Sequence, residues 1–160
     1  MHKITIAFLM FIIIYIFPIS VSAVESFIAS YVTIKFNRVN ARTGPNQQCP
    51  IKWVFIKKNE PVEVIAEYDQ WKKIRDINGE GGWVHSRVLS NSQRSVILIS
   101  QNIESLITNP SKSCYRIVAQ VMPQMRCRLI KCKKQWCKVD CKSYQGWFPK
   151  KFLWGVYSYE

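Results

Sequence analysis

Gln70-Trp71-Lys72-Lys73-Ile74 recurs further along the chain as Gln135-Trp136-Cys137-Lys138-Val139, and that recurrence decides how the rest is read. Sliding the sequence over itself at this one offset lays Thr43 and Pro45 on Thr108 and Pro110, Cys49 on Cys114, and Val64 on Leu129. After a single-residue deletion, Gly82-Trp83-Val84 meets Gly146-Trp147-Phe148, and Val88-Leu89 meets Phe152-Leu153. Chance gives one Trp match, but hardly two Trp and a Gly in order. The chain therefore holds two copies of a unit of about 60 residues, joined near Asn91 to Ser95.

Each copy reads as short strands. Tyr31 to Phe36, Trp53 to Lys57, Val62 to Tyr68 and Trp71 to Ile77 are runs of β-formers. Turn clusters separate them: Thr43-Gly44-Pro45-Asn46, Asn59-Glu60-Pro61, Asp69-Gln70 and Asn78-Gly79-Glu80-Gly81-Gly82. Gly and Asn supply the positive φ that tight hairpins require. Trp83-Val84-His85 makes a further strand, and Ser86 to Leu89 is long enough for one helical turn. Short strands at this density with almost no helix predict an all-β protein of small barrels.

The first residues are an address rather than part of that fold. His2 and Lys3 precede an apolar run from Ile4 to Phe17, then Pro18 and the small-residue stretch Ser20-Val21-Ser22-Ala23. This is the pattern of a secretory signal peptide cut after Ala23. The competing reading is a retained membrane anchor, but the run is shorter than the roughly 20 residues a membrane-crossing helix needs, so no stable membrane span is expected after processing. The expected divisions are 1–23 as signal peptide, 24–92 as the first barrel and 93–160 as the second.

All six cysteines follow the leader, and an even count in an exported chain points to disulfides. No C-x2-C knuckle is present and His85 is the only histidine after the leader, so no metal or other cofactor is expected. Cys132 and Cys137 flank a hairpin end, within bonding range across it. Cys127 and Cys141 lie further down the same hairpin, one residue out of register, which demands a bulge or a slip. Cys49 and Cys114 remain; a bond between them would staple one barrel to the other.

Val24 to Gln93 carries 10 Lys/Arg against 7 Asp/Glu, while Arg94 to Glu160 carries 12 against 3. The second unit is the one that should attract anions. Its basic stretch includes Arg128, Lys131, Lys133, Lys134 and Lys138 around Trp136. It reads either as a solvated hairpin or as an anion-binding ribbon for acidic polymers. Nucleic acid would also be attracted, but an exported protein rarely meets it, so it is not an expected partner.

The segments Val39-Asn40-Ala41-Arg42-Thr43-Gly44-Pro45, Pro61 to Asp76 and Gly82-Trp83-Val84-His85 resemble the bacterial SH3-like domain family of exported proteobacterial proteins. The second unit resembles its usual companion through Cys132 to Val139, Gly146-Trp147-Phe148 and Leu153-Trp154-Gly155-Val156-Tyr157. The resemblance runs from about Phe27 to the end. It drifts between Gln101 and Pro110, where Leu106-Ile107 stand in place of Ala41-Arg42. It implies two tandem SH3-like barrels and a role in cell-envelope binding.

Structural roles are expected for Arg42, Gly44 and Pro45, with Arg42 tying a loop to a carboxylate. Trp71, Trp83, Trp136 and Trp147 are expected in the core or barrel wall, because a Trp buries a large apolar area in a small domain. No catalytic residue is expected. No helix-forming segment exists to bear a nucleophile, and Glu60, Glu63 and Glu67 are scattered along strand and turn. The reading is a non-catalytic, periplasmic or secreted binding module for a cell-wall peptide or acidic envelope polymer. The alternatives are an adaptor docking onto an envelope protein, or a secreted host-directed effector.

Overall fold

Along Val39–Arg42 the buried Val39 and Ala41 alternate with the outward Asn40 and Arg42, as the period-two geometry of a strand requires. The computed structural model describes residues 29–111 and 114–159; the assigned leader lies outside them. The strands of the first unit are β1 (Ser30–Ile34), β2 (Val39–Arg42), β3 (Ile51–Phe55), β4 (Pro61–Tyr68), β5 (Trp71–Arg75), β6 (Gly81–His85) and β7 (Leu89–Ser90). Those of the second are β8 (Ser95–Leu98), β9 (Glu104–Ile107), β10 (Ile117–Val121), β11 (Arg126–Lys133), β12 (Trp136–Cys141), β13 (Tyr144–Pro149) and β14 (Leu153–Trp154). A single 3-10 turn precedes β7 and another precedes β14.

Among the described residues the strands form two seven-stranded sheets, ordered β3-β2-β6-β5-β4-β1-β7 and β10-β9-β13-β12-β11-β8-β14. The two orders are the same once the strands are matched unit to unit, which is the repeat expressed in three dimensions. All pairings are antiparallel. β2 is a strand that the turn residues beside it concealed in the sequence.

The hairpin turns follow the chemistry read from the sequence. Asp69 and Lys134 take positive φ (49° and 53°) at equivalent two-residue turns, and Gly79 does so at 84° in the β5–β6 turn. That turn is also held by Asp76, whose Oδ1 accepts from the Asn78 and Glu80 N–H groups, both at 2.9 Å.

Each barrel has its own core. Val32, Ile34, Val62, Val64, Ile74 and Val84 fill the first. Val96, Leu98, Leu106, Val139 and Phe148 fill the second, joined by Cys127, Cys137 and Cys141. Cys132 bonds to Cys137, its direct partner in the β11–β12 register, and Cys127 bonds to Cys141. The register shifts between Leu129 and Lys131. This bulge absorbs the one-residue mismatch and returns the outer pair to the same face. The first barrel carries the same irregularity between Val64 and Ala66.

The expected Cys49–Cys114 staple is not made; both are free thiols. The barrels meet elsewhere. Ser95 donates its N–H to Thr33 Oγ1 at 3.0 Å and its hydroxyl to the Asn59 carbonyl at 2.6 Å. Arg126 binds Glu60 through both carboxylate oxygens, at 2.5 and 2.8 Å. Tyr157 donates to Glu63 at 2.8 Å, while Tyr31 packs against the rings of Trp154 and Tyr157 at 5.0 and 4.5 Å. None of these residues is in the loops that hold Cys49 and Cys114, so the staple had no interface to cross.

Candidate functional site

Along β12 and β13, Cys137, Val139, Cys141, Gly146 and Phe148 turn inward. Their neighbours Trp136, Lys138, Trp147 and Pro149 therefore turn outward. The register sets these in rows across three strands: Lys133, Trp136 and Pro149 in one, Lys131, Lys138 and Trp147 in the next. Arg128, Asp140 and Gln145 form the third. The Lys131 ammonium stands 6.0 Å from the Trp147 ring centre, within cation–π range. The segment Asn109-Pro110-Ser111 rises beside the two indoles. Together with Lys133 and Lys134 it encloses a cavity of about 460 Å³ against Trp136 and Trp147.

The charges on this face are not equivalent. Arg128 donates to Asp140 at 2.9 Å. That bond, chiefly, holds the Asp140 carboxyl below the usual carboxylate range, with help from the Ser143 N–H and Gln145. Lys131, Lys133 and Lys134 are exposed, and Lys138 is half-buried. The tip of the hairpin therefore presents a positive rim around flat aromatic walls, while the far end is internally neutralised. Such an arrangement attracts an anion by charge and orients it by stacking.

The first barrel builds the same face with different charge. Trp71 is registered against Tyr68 and His85, and Trp83 against Lys73 and Arg42. Tyr68 and Asp69 occupy the places of Lys133 and Lys134. His85 is occupied structurally: its Nδ1 accepts from the Arg87 N–H at 3.2 Å, and its ring lies 5.7 Å from that of Trp71. Arg42 does tie down a loop, but its partner is the Cys49 carbonyl at 2.7 Å rather than a carboxylate. A Cβ on Gly44 would stand 2.8 Å from the Cys49 sulfur, so that side chain would have to turn aside; Pro45 beside it is half-buried.

The model for the bacterial SH3 domain matches residues 35–91 and again 108–155. The chain belongs to the bacterial SH3 domain family. No curated protein matches it in sequence. Among solved structures it is similar to NlpC2 from Trichomonas vaginalis, with 13% identity over 79% of this chain and 48% of that one, at a TM-score of 0.37. NlpC1 from the same organism gives 15% identity over 82% and 48%, at the same TM-score of 0.37. The chain spans about half the length of those structures.

Within the two bacterial SH3 units, the four repeated Trp residues are not core. Trp71, Trp83, Trp136 and Trp147 are all half-buried on the barrel wall, one of the two places expected for them, while the interior is filled by aliphatic side chains, Phe148 and the cystines. Alternation explains this for three of them, since Trp83, Trp136 and Trp147 are each one residue out of phase with a fully buried neighbour, Val84, Cys137 and Phe148. Lys133, Lys134 and Trp136 are brought to one cavity, Lys131 and Lys138 to the next row beside Trp147, and Arg128 to the neutralised end. The Asn109–Ser111 wall was missed, although Pro110 aligned with Pro45 marked it as a turn. Among the described residues no group of three His, Cys, Asp or Glu is placed to hold a metal ion, and no helix is long and apolar enough to cross a membrane.

Proposed function

We propose that this chain is a non-catalytic, exported module that binds an acidic cell-envelope polymer through its second barrel. The observation that carries the reading is the cavity of about 460 Å³ between Trp136 and Trp147, rimmed by Lys133 and Lys134. The indoles offer flat apolar faces for a sugar ring or a peptide side chain. The lysines offer charge for carboxylate or phosphate groups on the same ligand. Export to the periplasm or medium is supported by two disulfides, which persist in oxidising compartments.

Co-sedimentation of the full chain with purified cell-wall sacculi tests this. Binding should weaken as salt rises, because Lys131, Lys133 and Lys134 are exposed charges. Replacing those three with Gln should abolish most of it and flatten the salt dependence. Trp136→Ala should weaken what remains at high salt. Equal loss from Lys52→Gln, Lys57→Gln and Lys73→Gln in the first barrel would contradict the assignment.

One observation favours an adaptor role as a second reading. β3 is an edge strand with Ile51 and Trp53 exposed, and unpaired apolar edges are templates for another chain. A triple Lys variant that ignores sacculi yet keeps its envelope-protein partner, while Lys52→Pro loses the partner, would select this reading.

A further inference from the structure

β3 is paired on one side only, with β2, and a groove of about 400 Å³ lies along it between the barrels. Trp53, Val54 and Phe55 of β3 all line that groove, as do the next two residues. Successive side chains of a strand point to opposite faces. A cavity that meets all of them therefore runs along the strand's open edge rather than over one face. Ile97 to Gln101 of the second barrel line it as well. Trp53, Ile56, Ile77 and Ile99, drawn from both barrels, stand exposed in it.

One charged group among these apolar walls is only half satisfied. Asp76 is 9% exposed. Its Oδ1 accepts from the Asn78 and Glu80 N–H groups, while its Oδ2 has no hydrogen-bond partner among the described residues. A carboxylate oxygen withdrawn from water without a donor is costly, and the groove that Asp76 lines is where a donor can reach it. The other charges there do not answer it. Glu60 and Arg126 bind each other, and Lys57 is exposed and forms no ion pair, so solvent screens it.

The free oxygen selects the kind of cation. An arginine fork is best used by two carboxylate oxygens, and Oδ1 is already taken by two N–H groups. A lysine ammonium is a point charge that needs one oxygen, and its four-carbon stem lies along apolar surface. The open edge of β3 supplies main-chain donors and acceptors for another strand. A volume of about 400 Å³ is near the lower end of ligand clefts, roughly 300–1,000 Å³, which suits a few residues.

We propose that this groove takes a short extended segment of a partner protein, which adds a strand to β3 and sets a lysine flanked by apolar residues on Asp76. The inference rests on the adaptor reading and names what that partner presents.

Calorimetric titration of the full chain with blocked pentapeptides Thr-X-Lys-X-Thr, X being Val, Leu or Phe, tests it. Matched peptides carry norleucine for lysine, which keeps most of the stem and loses the charge. A lysine peptide should bind about tenfold or more tightly than its match, the size of one charge-assisted bond. Asp76→Asn keeps an oxygen for the Asn78 and Glu80 N–H groups and should erase that preference. Ile56→Ser changes a side chain that is 70% exposed, so the fold is kept, and it should weaken both peptides alike. Methylating alternate peptide nitrogens should abolish binding in one phase and spare it in the other, because an edge strand bonds every second residue. The proposal is overturned if no lysine peptide outbinds its match, if Asp76→Asn preserves the preference, or if neither methylation pattern matters. Peptide binding that Asp76→Asn weakens supports the groove even where no envelope protein is retained, an outcome that sinks only the adaptor reading. An envelope protein lost with Lys52→Pro, beside lysine peptides that bind no better than their matches, keeps the adaptor reading and overturns the groove.

Discussion

Glu67 and Lys72 face each other across the β4–β5 hairpin of the first barrel and form an ion pair at 2.5 Å. The matching positions of the second barrel are Cys132 and Cys137, which are covalently joined. The same substitution is seen deeper in the fold, where Val62 and Asp76 of the first barrel correspond to the bonded Cys127 and Cys141 of the second. An exposed ion pair contributes about 0–1 kcal/mol, whereas closing a ring as short as Cys132 to Cys137 contributes about 2. The difference follows from what each hairpin carries. Lys131 and Lys138 are registered across from each other on the second hairpin, with Lys133 and Lys134 at its end, and covalent bonds hold this like charge together. The first hairpin carries both signs and closes with side chains alone.

The largest expected effect comes from removing the deeper cystine. Cys127→Ala with Cys141→Ala should cost about 3 kcal/mol, by loop closure over that longer ring. Hydrogen exchange should show β11 and β12 losing protection before β4 and β5 do. Simultaneous loss in both barrels would mean that the docked pair, not the barrel, is the cooperative unit. The converse change sharpens the comparison. Glu67→Cys with Lys72→Cys places cysteines at the position where the second barrel is bonded. Under oxidising conditions it should stabilise the first barrel by up to about 2 kcal/mol, read as a higher denaturant midpoint that falls back on reduction.

Much of this comparison was legible in the sequence, and the physical reason is local. Trp71 and Trp136, with Gly82-Trp83 and Gly146-Trp147, mark hairpins whose geometry depends only on nearby residues. Cys132 and Cys137 could be paired from hairpin spacing, and the bulge near Ile130 from a one-residue mismatch. Cys49 and Cys114 could not be judged the same way. Whether they meet depends on how one barrel docks on the other, and that rests on Glu60, Arg126, Glu63 and Tyr157, which have no like residue at the matching place in the other copy. The Trp positions were narrowed only to core or barrel wall. Alternation separates two faces of a strand without saying which is inside, so the choice of the wall waited for the structure. The wall at Asn109 to Ser111 sits where the second copy drifts from the first, so only Pro110 signalled it.

A smaller effect separates the two conserved positions of the internal repeat, Gly82 and Gly146. A Cβ on Gly82 would stand 2.5 Å from the Arg42 carbonyl oxygen, and one on Gly146 would stand 2.6 Å from Leu106 Cγ and 2.8 Å from the Ile107 oxygen. Part of the second clash falls on a side chain that can move, whereas all of the first falls on backbone. Gly82→Ala should therefore cost more than Gly146→Ala, both within about 1–3 kcal/mol, measured by urea unfolding. The reverse order would show that β2 yields more easily than the Leu106 side chain.

The smallest effect tests the contact through which the second barrel's tail holds the first. Tyr157 donates to Glu63 Oε1 at 2.8 Å, while Arg75 donates to the other oxygen at 2.7 Å. Burial first, and then the Glu63 hydrogen bond, raise the Tyr157 pKa well above the ordinary tyrosine value of about 10. The sign follows from linkage. Below pH 10 the phenol is protonated in both the folded and unfolded chains, so the contact contributes fully. Above pH 10 the unfolded chain releases the proton while the folded chain retains it, and the contribution declines as pH rises towards the raised folded value. Tyr157→Phe removes both the bond and the titration, while every other tyrosine and lysine remains in both proteins and cancels. The stability of the native chain over Tyr157→Phe should be at most about 1 kcal/mol, the net worth of one hydrogen bond that solvent can reach. It should be constant from pH 6 to about 9 and shrink above about 10. A difference that stays constant to about pH 11 would mean that Tyr157 holds Glu63 by packing on Tyr31 rather than through its hydroxyl.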